Sequence, residues 1–160
     1  MKLKANDLIL VRHEEPDPAV ALILDDPEIL ETLSEARSYP APMPASICFR
    51  IEKEGEVIGQ VCLKRIRWIN HKAEISLFIS RSMQGRGYGR QAIESIIEFG
   101  FKRLNLYRLE AEVIDGNKAS LKLLKRSGFI EEGRLRKAKF VKGEYKDLLR
   151  FGLLKDEYTE

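Results

Sequence analysis

Cysteine and histidine are nearly missing from this chain: Cys48, Cys62, His13 and His71 are all that 160 residues contain. Two cysteines are too few for a disulfide framework, they show no CxxC spacing, and the histidines are isolated, so no metal site is expected. Long apolar runs are missing as well. No stretch reaches the ~20 residues of a membrane-spanning helix, and the first residues lack the apolar core of a signal peptide. The expected setting is the cytoplasm, without a membrane partner. One-sided charge is also lacking: 28 Lys and Arg are dispersed among 25 Asp and Glu, for a net charge of +3. Dispersal of that kind argues against a nucleic-acid partner. What remains, 44% apolar and 33% charged residues, suits one globular domain over residues 1–160 with a core of its own.

The most informative stretch runs from Ile75 to Phe101. An apolar strand enters Gln84-Gly85-Arg86-Gly87-Tyr88-Gly89, which opens directly into a helix carrying Ala92, Ile93, Ile96, Ile97 and Phe101 on one face. Glycines let the backbone turn tightly and present N–H groups without obstruction. A helix start adds unpaired donors and the positive end of the dipole. Together they suit a phosphate or pyrophosphate, with Arg86 and Arg90 alongside. The loop is not a Walker A motif, because Arg90 and Gln91 stand where Lys and Ser/Thr are needed. Nor is it the dinucleotide fingerprint, whose third glycine would fall at Arg90.

Gln84-x-x-Gly87-x-Gly89 instead resembles the acetyl-CoA pyrophosphate loop of the GNAT superfamily of N-acetyltransferases. Asn117 to Phe129, an Asn opening a helix that ends in Gly128-Phe129, looks like the family's second signature. Glu132 to Arg136, Lys142 to Asp147 and Leu153-Leu154 are similar to the tail of the branch that holds ribosomal-protein, polyamine and amino-sugar N-acetyltransferases. The resemblance covers residues 7 to 157 and implies an α+β fold, a mostly antiparallel twisted sheet flanked by helices.

The residue pattern is consistent with that. Leu8–Val11 suggests a first strand, and Asp17-Pro18 and Asp26-Pro27 are helix starts. A helical face follows to about Arg37, and the prolines at 40, 42 and 44 force an extended loop. Strands are predicted at 47–52, 57–66, 72–79 and 108–113, with a helix at 118–126. A closing antiparallel pair is predicted at 129–136 and 145–154.

By resemblance, acetyl-CoA is the cosubstrate, no metal takes part, and the acetyl group moves to a primary amine by direct attack in a ternary complex. Strands 72–79 and 108–113 would splay, leaving main-chain groups of Leu77, Phe78 and Ile79 for the pantetheine arm. Residues Gln84 to Arg90 would hold the pyrophosphate, with Asn117 and Ser120 touching the cofactor arm. Glu74, Glu110 and Glu112 share comparable strand faces, and Glu74 and Glu110 are the first candidates for general base. Each also suits a solvated surface carboxylate. Many relatives carry a Tyr seven positions after the Asn to protonate the thiolate. Here that residue is Leu124, so Ser120 becomes the candidate thiol contact, beside its plain reading as a helix-start residue.

Acceptor identity stays open between a small-molecule amine and a protein N-terminus, with Tyr39 and Trp68 as candidate lining. A homodimer is compatible with the closing strands. The other functional class left open is a catalytically idle CoA-binding module, which the missing Tyr at 124 would suit.

Overall fold

Proline placed directly after an acidic residue starts both N-terminal helices. In the computed structural model, which describes residues 2–5, 8–11, 17–24, 26–32 and 43–159, α1 is Pro18–Leu24 and α2 is Pro27–Thr32. Asp17 Oδ1 accepts the Ala19 N–H at 2.9 Å, and Asp26 Oδ1 accepts that of Glu28 at 2.9 Å. These are the expected caps. Strand β1 (Lys2–Ala5), which the sequence pattern did not reveal, pairs antiparallel with β2 (Leu8–Val11). The helix expected to run to about Arg37 is described from Pro27 to Thr32, and the rest of that expectation lies outside the described residues. Residues 33–42, with Tyr39 and the first two loop prolines, lie outside the described residues, as does His13. The chain forms two compact units, Met1–Arg37 and Ser38–Glu160.

In the second unit, apolar alternation builds a six-stranded sheet. Its strands are β3 (Ile47–Lys53), β4 (Glu56–Arg67), β5 (Lys72–Ile79), β6 (Arg108–Ile114), β7 (Ile130–Val141) and β8 (Glu144–Leu154). Their order is β3-β4-β5-β6-β8-β7, and only β5 and β6 run parallel. That parallel pair needs a crossover, supplied by helix α3 (Tyr88–Glu98) and a π-helical turn, Phe99–Arg103. Helix α4 (Lys118–Arg126) links β6 to β7. This is the mostly antiparallel α+β fold expected from the sequence.

One core holds the unit together. Ile93, Ile96, Ile97 and Phe101 from the crossover, with Leu124 of α4, pack on Ile75, Leu109, Ala111, Val113, Leu149, Phe151 and Leu153 of the sheet. Strand alternation therefore sends Glu74, Ser76 and Phe78, and likewise Glu110 and Glu112, to the opposite face. Burying a Leu, Ile or Phe contributes about 1.5–3 kcal/mol each, so the helices are anchored firmly against β5 and β6.

The strand register also joins Cys48 to Cys62. They are direct cross-strand partners on β3 and β4 and form a disulfide. Two cysteines make no framework, but their spacing in the chain gave no sign that the hairpin would bring them face to face.

Candidate active site

A fork opens in the middle of the sheet. β5 and β6 pair only at Lys72↔Arg108, Ala73↔Leu109 and Glu74↔Glu110. Past that point β5 keeps β4 as its neighbour, from Ile75↔Leu63 to Ile79↔Gly59, and β6 keeps β8. One backbone edge of Ile75–Ile79 therefore has no strand partner among the described residues. Leu77, Phe78 and Ile79, the residues expected to offer main-chain groups, sit on that edge. Gly59 permits the close approach of β4 to β5 there, since a Cβ on it would lie 2.3 Å from the Phe78 carbonyl oxygen.

The glycine loop leaves the tip of this open strand. The Gln84 side chain donates to the Ile79 carbonyl at 2.9 Å, fastening the loop to β5. Gly85 and Gly87 have φ of 75° and 83°, a region that side chains disfavour. A Cβ at either would meet nothing within 4 Å, so the concave side of the loop is open. Gly87 caps α3 without any side-chain cap bond. The N–H groups of residues 85–90 find no backbone acceptor among the described residues. Uncapped donors at a helix start are an anion site, and these residues fit a pyrophosphate. Arg86 is exposed beside them, whereas Arg90 is engaged by Glu94 at 2.7 Å. Tyr88 also lines a groove of about 640 Å³ with Phe49, Ile51, Ile96 and Phe99.

Helix α4 completes the surround. A Cβ on Gly89 would sit 3.7 Å from Leu123 and 4.0 Å from both Leu77 and Ile79, so the starts of α3 and α4 converge on the open strand. Asn117 caps α4, its Oδ1 accepting the Ser120 N–H at 3.2 Å. Ser120 is half-buried at the first turn. Leu124 is 4% exposed and packs into the core, leaving no proton donor at that place.

The carboxylates divide by position. Glu74 is bound by the Arg65 guanidinium, with Nε at 2.9 Å. Glu110 accepts from Arg108 at 2.8 Å and Lys72 at 3.1 Å. Burial pulls the Glu110 carboxyl up, but these hydrogen bonds outweigh it and hold it below the ordinary carboxylate range. That direction keeps it ionised, and both residues lie at the closed end of the fork. Glu112 lies two residues further along β6, beyond the last β5–β6 pair, with Arg150 at 3.2 Å.

Against known proteins, the acetyltransferase (GNAT) domain matches residues 24–149. The chain belongs to the GNAT acetyltransferase family. It is 39% identical over 109 residues to an uncharacterized N-acetyltransferase of Bacillus licheniformis, covering 68% of this chain and 61% of that protein. It is 33% identical over 105 residues to a putative ribosomal N-acetyltransferase of Bacillus subtilis strain 168, covering 66% and 57%. The chain thus spans about three fifths of the length of these curated relatives. A solved spermidine/spermine N-acetyltransferase from Vibrio cholerae superposes with a TM-score of 0.69 at 32% identity, covering 72% of this chain and 70% of that one.

Within this GNAT domain the glycine loop, the open strand and the start of α4 come together as the motifs imply. Trp68 does not stand free: its Nε1 donates to the Pro44 carbonyl at 3.0 Å and its ring packs against the core. Two residues gain weight that the sequence did not assign them. Gly59 carried a faint signal, since an interior strand glycine marks close backbone approach. By strand face Glu112 groups with Glu74 and Glu110 but ranks behind them, and only the end of β5–β6 pairing separates it from Glu110. Among the described residues no cluster of His, Cys, Asp or Glu could hold a metal, and no helix is long and apolar enough to cross a membrane.

Proposed function

We propose that this chain is an acetyl-CoA-dependent N-acetyltransferase acting on a primary amine. The observation that carries it is the fork between β5 and β6, placed beside an uncapped glycine-rich helix start. The N–H groups of residues 85–90 and Arg86 would hold the pyrophosphate. The pantetheine arm would then lie along the free edge of Leu77–Ile79, its amides taking the hydrogen bonds that a seventh strand would take elsewhere. A main-chain N–H there would steady the carbonyl oxygen as the amine attacks.

The amine would approach from the face that carries Glu112. This carboxylate can draw in a cationic amine and accept its proton as the amine attacks. Glu74 and Glu110, each fastened by cations, would hold the fork closed at its base. The thiolate is a tolerable leaving group, with a free thiol pKa of about 8.5. Ser120 would therefore assist its departure without being indispensable. Of the named relatives, one is a spermidine/spermine N-acetyltransferase and another a putative ribosomal N-acetyltransferase, and a polyamine or a protein N-terminus would each offer a primary amine of the required kind.

Thermal unfolding with and without acetyl-CoA tests the reading. At 100 times the dissociation constant, one-site binding adds about 2.7 kcal/mol, which raises Tm by about 5–11 °C in a domain of this size. The shift should vanish in Gly87→Glu, whose side chain would fill the anion cradle. Thiol release in a panel of amines and N-terminal peptides then finds the acceptor. Binding without release for any amine would sink transfer and leave an idle CoA-binding module. No shift at all would remove the cofactor.

A further inference from the structure

Across β6, β8 and β7, one row of register partners reads Glu112, Arg150 and Gly133. Directly opposed residues share one side of a sheet, here the face that carries Glu112 at the mouth of the fork. Along this row lies a pocket of about 330 Å³, whose walls include Arg108, Glu132, Arg134 and Leu135. That is the small end of the range for ligand sites, ~300–1,000 Å³. A Cβ on Gly133 would meet nothing within 4 Å, so the glycine leaves room there. Its φ is not positive, so the backbone does not demand a glycine.

The charges of the pocket divide into committed and available ones. Arg108 gives Nε to Glu110 and both Nη groups to Glu132. Arg134 holds Asp115 and Asp147 through Nη1. Arg150 makes a single contact, from Nη2 to Glu112 Oε1 at 3.2 Å. Its Nε and Nη1, and Glu112 Oε2, have no partner among the described residues. An ion pair that served the sheet alone would need neither an adjoining pocket nor a bare glycine beside it.

We propose that the acceptor is a free α-amino acid, its carboxylate held by Arg150 and its ammonium facing Glu112. This rests on the acetyltransferase reading above and names its substrate class. Such a molecule carries both charges on one carbon, which suits a carboxylate and a guanidinium 3.2 Å apart. The planar fork of an arginine matches a carboxylate bidentately. The side chain would lie in the pocket, over Gly133 and against Leu135. A polyamine fits less well, because each further ammonium needs a carboxylate to spare. On this face Glu74 is held by Arg65, and Glu110 and Glu132 by Arg108. A peptide N-terminus would leave the Arg150 fork unpaired. In the transfer, the nitrogen bonds the acetyl carbon as the carbon–sulfur bond breaks. One ammonium proton leaves through Glu112 before attack and a second reaches the thiolate. The products are an N-acetylamino acid, CoA thiol and one proton.

Thiol release from acetyl-CoA tests it, with the common amino acids, each beside its α-carboxamide, and with spermidine and N-terminal peptides. At least one amino acid should exceed its own amide and the other amines by about tenfold or more in kcat/KM, the worth of a hydrogen bond to a charged group. Arg150→Gln should erase that preference through KM, and Arg150→Lys should restore part of it. Gly133→Leu, which fills the pocket, should weaken long side chains more than glycine. Circular dichroism and the acetyl-CoA melting shift should match wild type in all three variants, separating loss of the subsite from loss of fold. Equal or better release with amides, spermidine or peptides would overturn the amino-acid assignment and leave acetyl transfer standing. A preference that survives Arg150→Gln, or an equal effect of Gly133→Leu on all side chains, would also overturn it. An acetyl-CoA shift with no release from any amine would instead remove transfer itself.

Discussion

Glu110 and Glu112 are two residues apart on the same face of β6, yet their surroundings differ. Glu110 is clamped by Arg108 and Lys72 where β5 and β6 still pair. Glu112 stands beyond the fork with Arg150 at 3.2 Å. Glu112→Gln should therefore cut kcat by about 100-fold or more, the usual worth of a general base, with acetyl-CoA affinity unchanged. Glu110→Gln should lower Tm more than kcat. Steady-state kinetics beside thermal melts checks both, and equal loss of kcat in the two variants would overturn the assignment. Gly59 supports the site from behind. Gly59→Ala would push a Cβ to 2.3 Å from the Phe78 carbonyl oxygen, so one strand must move. Displacement of about 1 Å at a reacting centre can cost up to ~100-fold. Turnover should fall by about tenfold or more and acetyl-CoA affinity should weaken, as read by calorimetry.

Among the elements, the β3–β4 hairpin is tied by the Cys48–Cys62 bond, whose ends are 14 positions apart in sequence. Closing a loop of about 15 residues is worth about 3 kcal/mol in the chain-entropy account, or about 6–12 °C in Tm. Reduction, or Cys48→Ser, should lower Tm by that order while leaving the acetyl-CoA response intact, because the bond lies away from the glycine loop. A melt with and without dithiothreitol reads it directly. Helix α3 shows how much of an element was legible. Its apolar spacing marked Ile93, Ile96 and Ile97 correctly as buried. The π-helical turn that carries Phe101 inward was not legible, since a one-residue change in winding leaves no trace in periodicity.

At the scale of the molecule, an ion-pair lattice runs across β5, β6, β7 and β8. Hydrogen bonds from Arg108 hold Glu132 below its ordinary range, despite some burial. The Lys137 N–H and Arg134 do the same for Asp147, and Glu110 is lowered on balance too. Each carboxylate thus has a lower pKa folded than unfolded, where Asp and Glu titrate near 3.9 and 4.3. Their stabilisation is complete above those values and is lost as pH falls through the lowered ones. Stability should therefore drop steeply below about pH 4. Arg108→Met should flatten that drop, a result read from urea midpoints across the acid range; an unchanged profile would exclude Arg108 as its source. The sequence alone determined the family, the glycine-rich turn before α3 and most strand and helix positions. Those follow from local needs: glycine where φ is positive, an Asn or Asp cap, and apolar residues at the period of each element. Only the tertiary structure decided where β5 and β6 part, which carboxylate faces the opening, and that Cys48 meets Cys62. Each of these depends on register between strands far apart in the chain, and register is set by packing of the whole sheet.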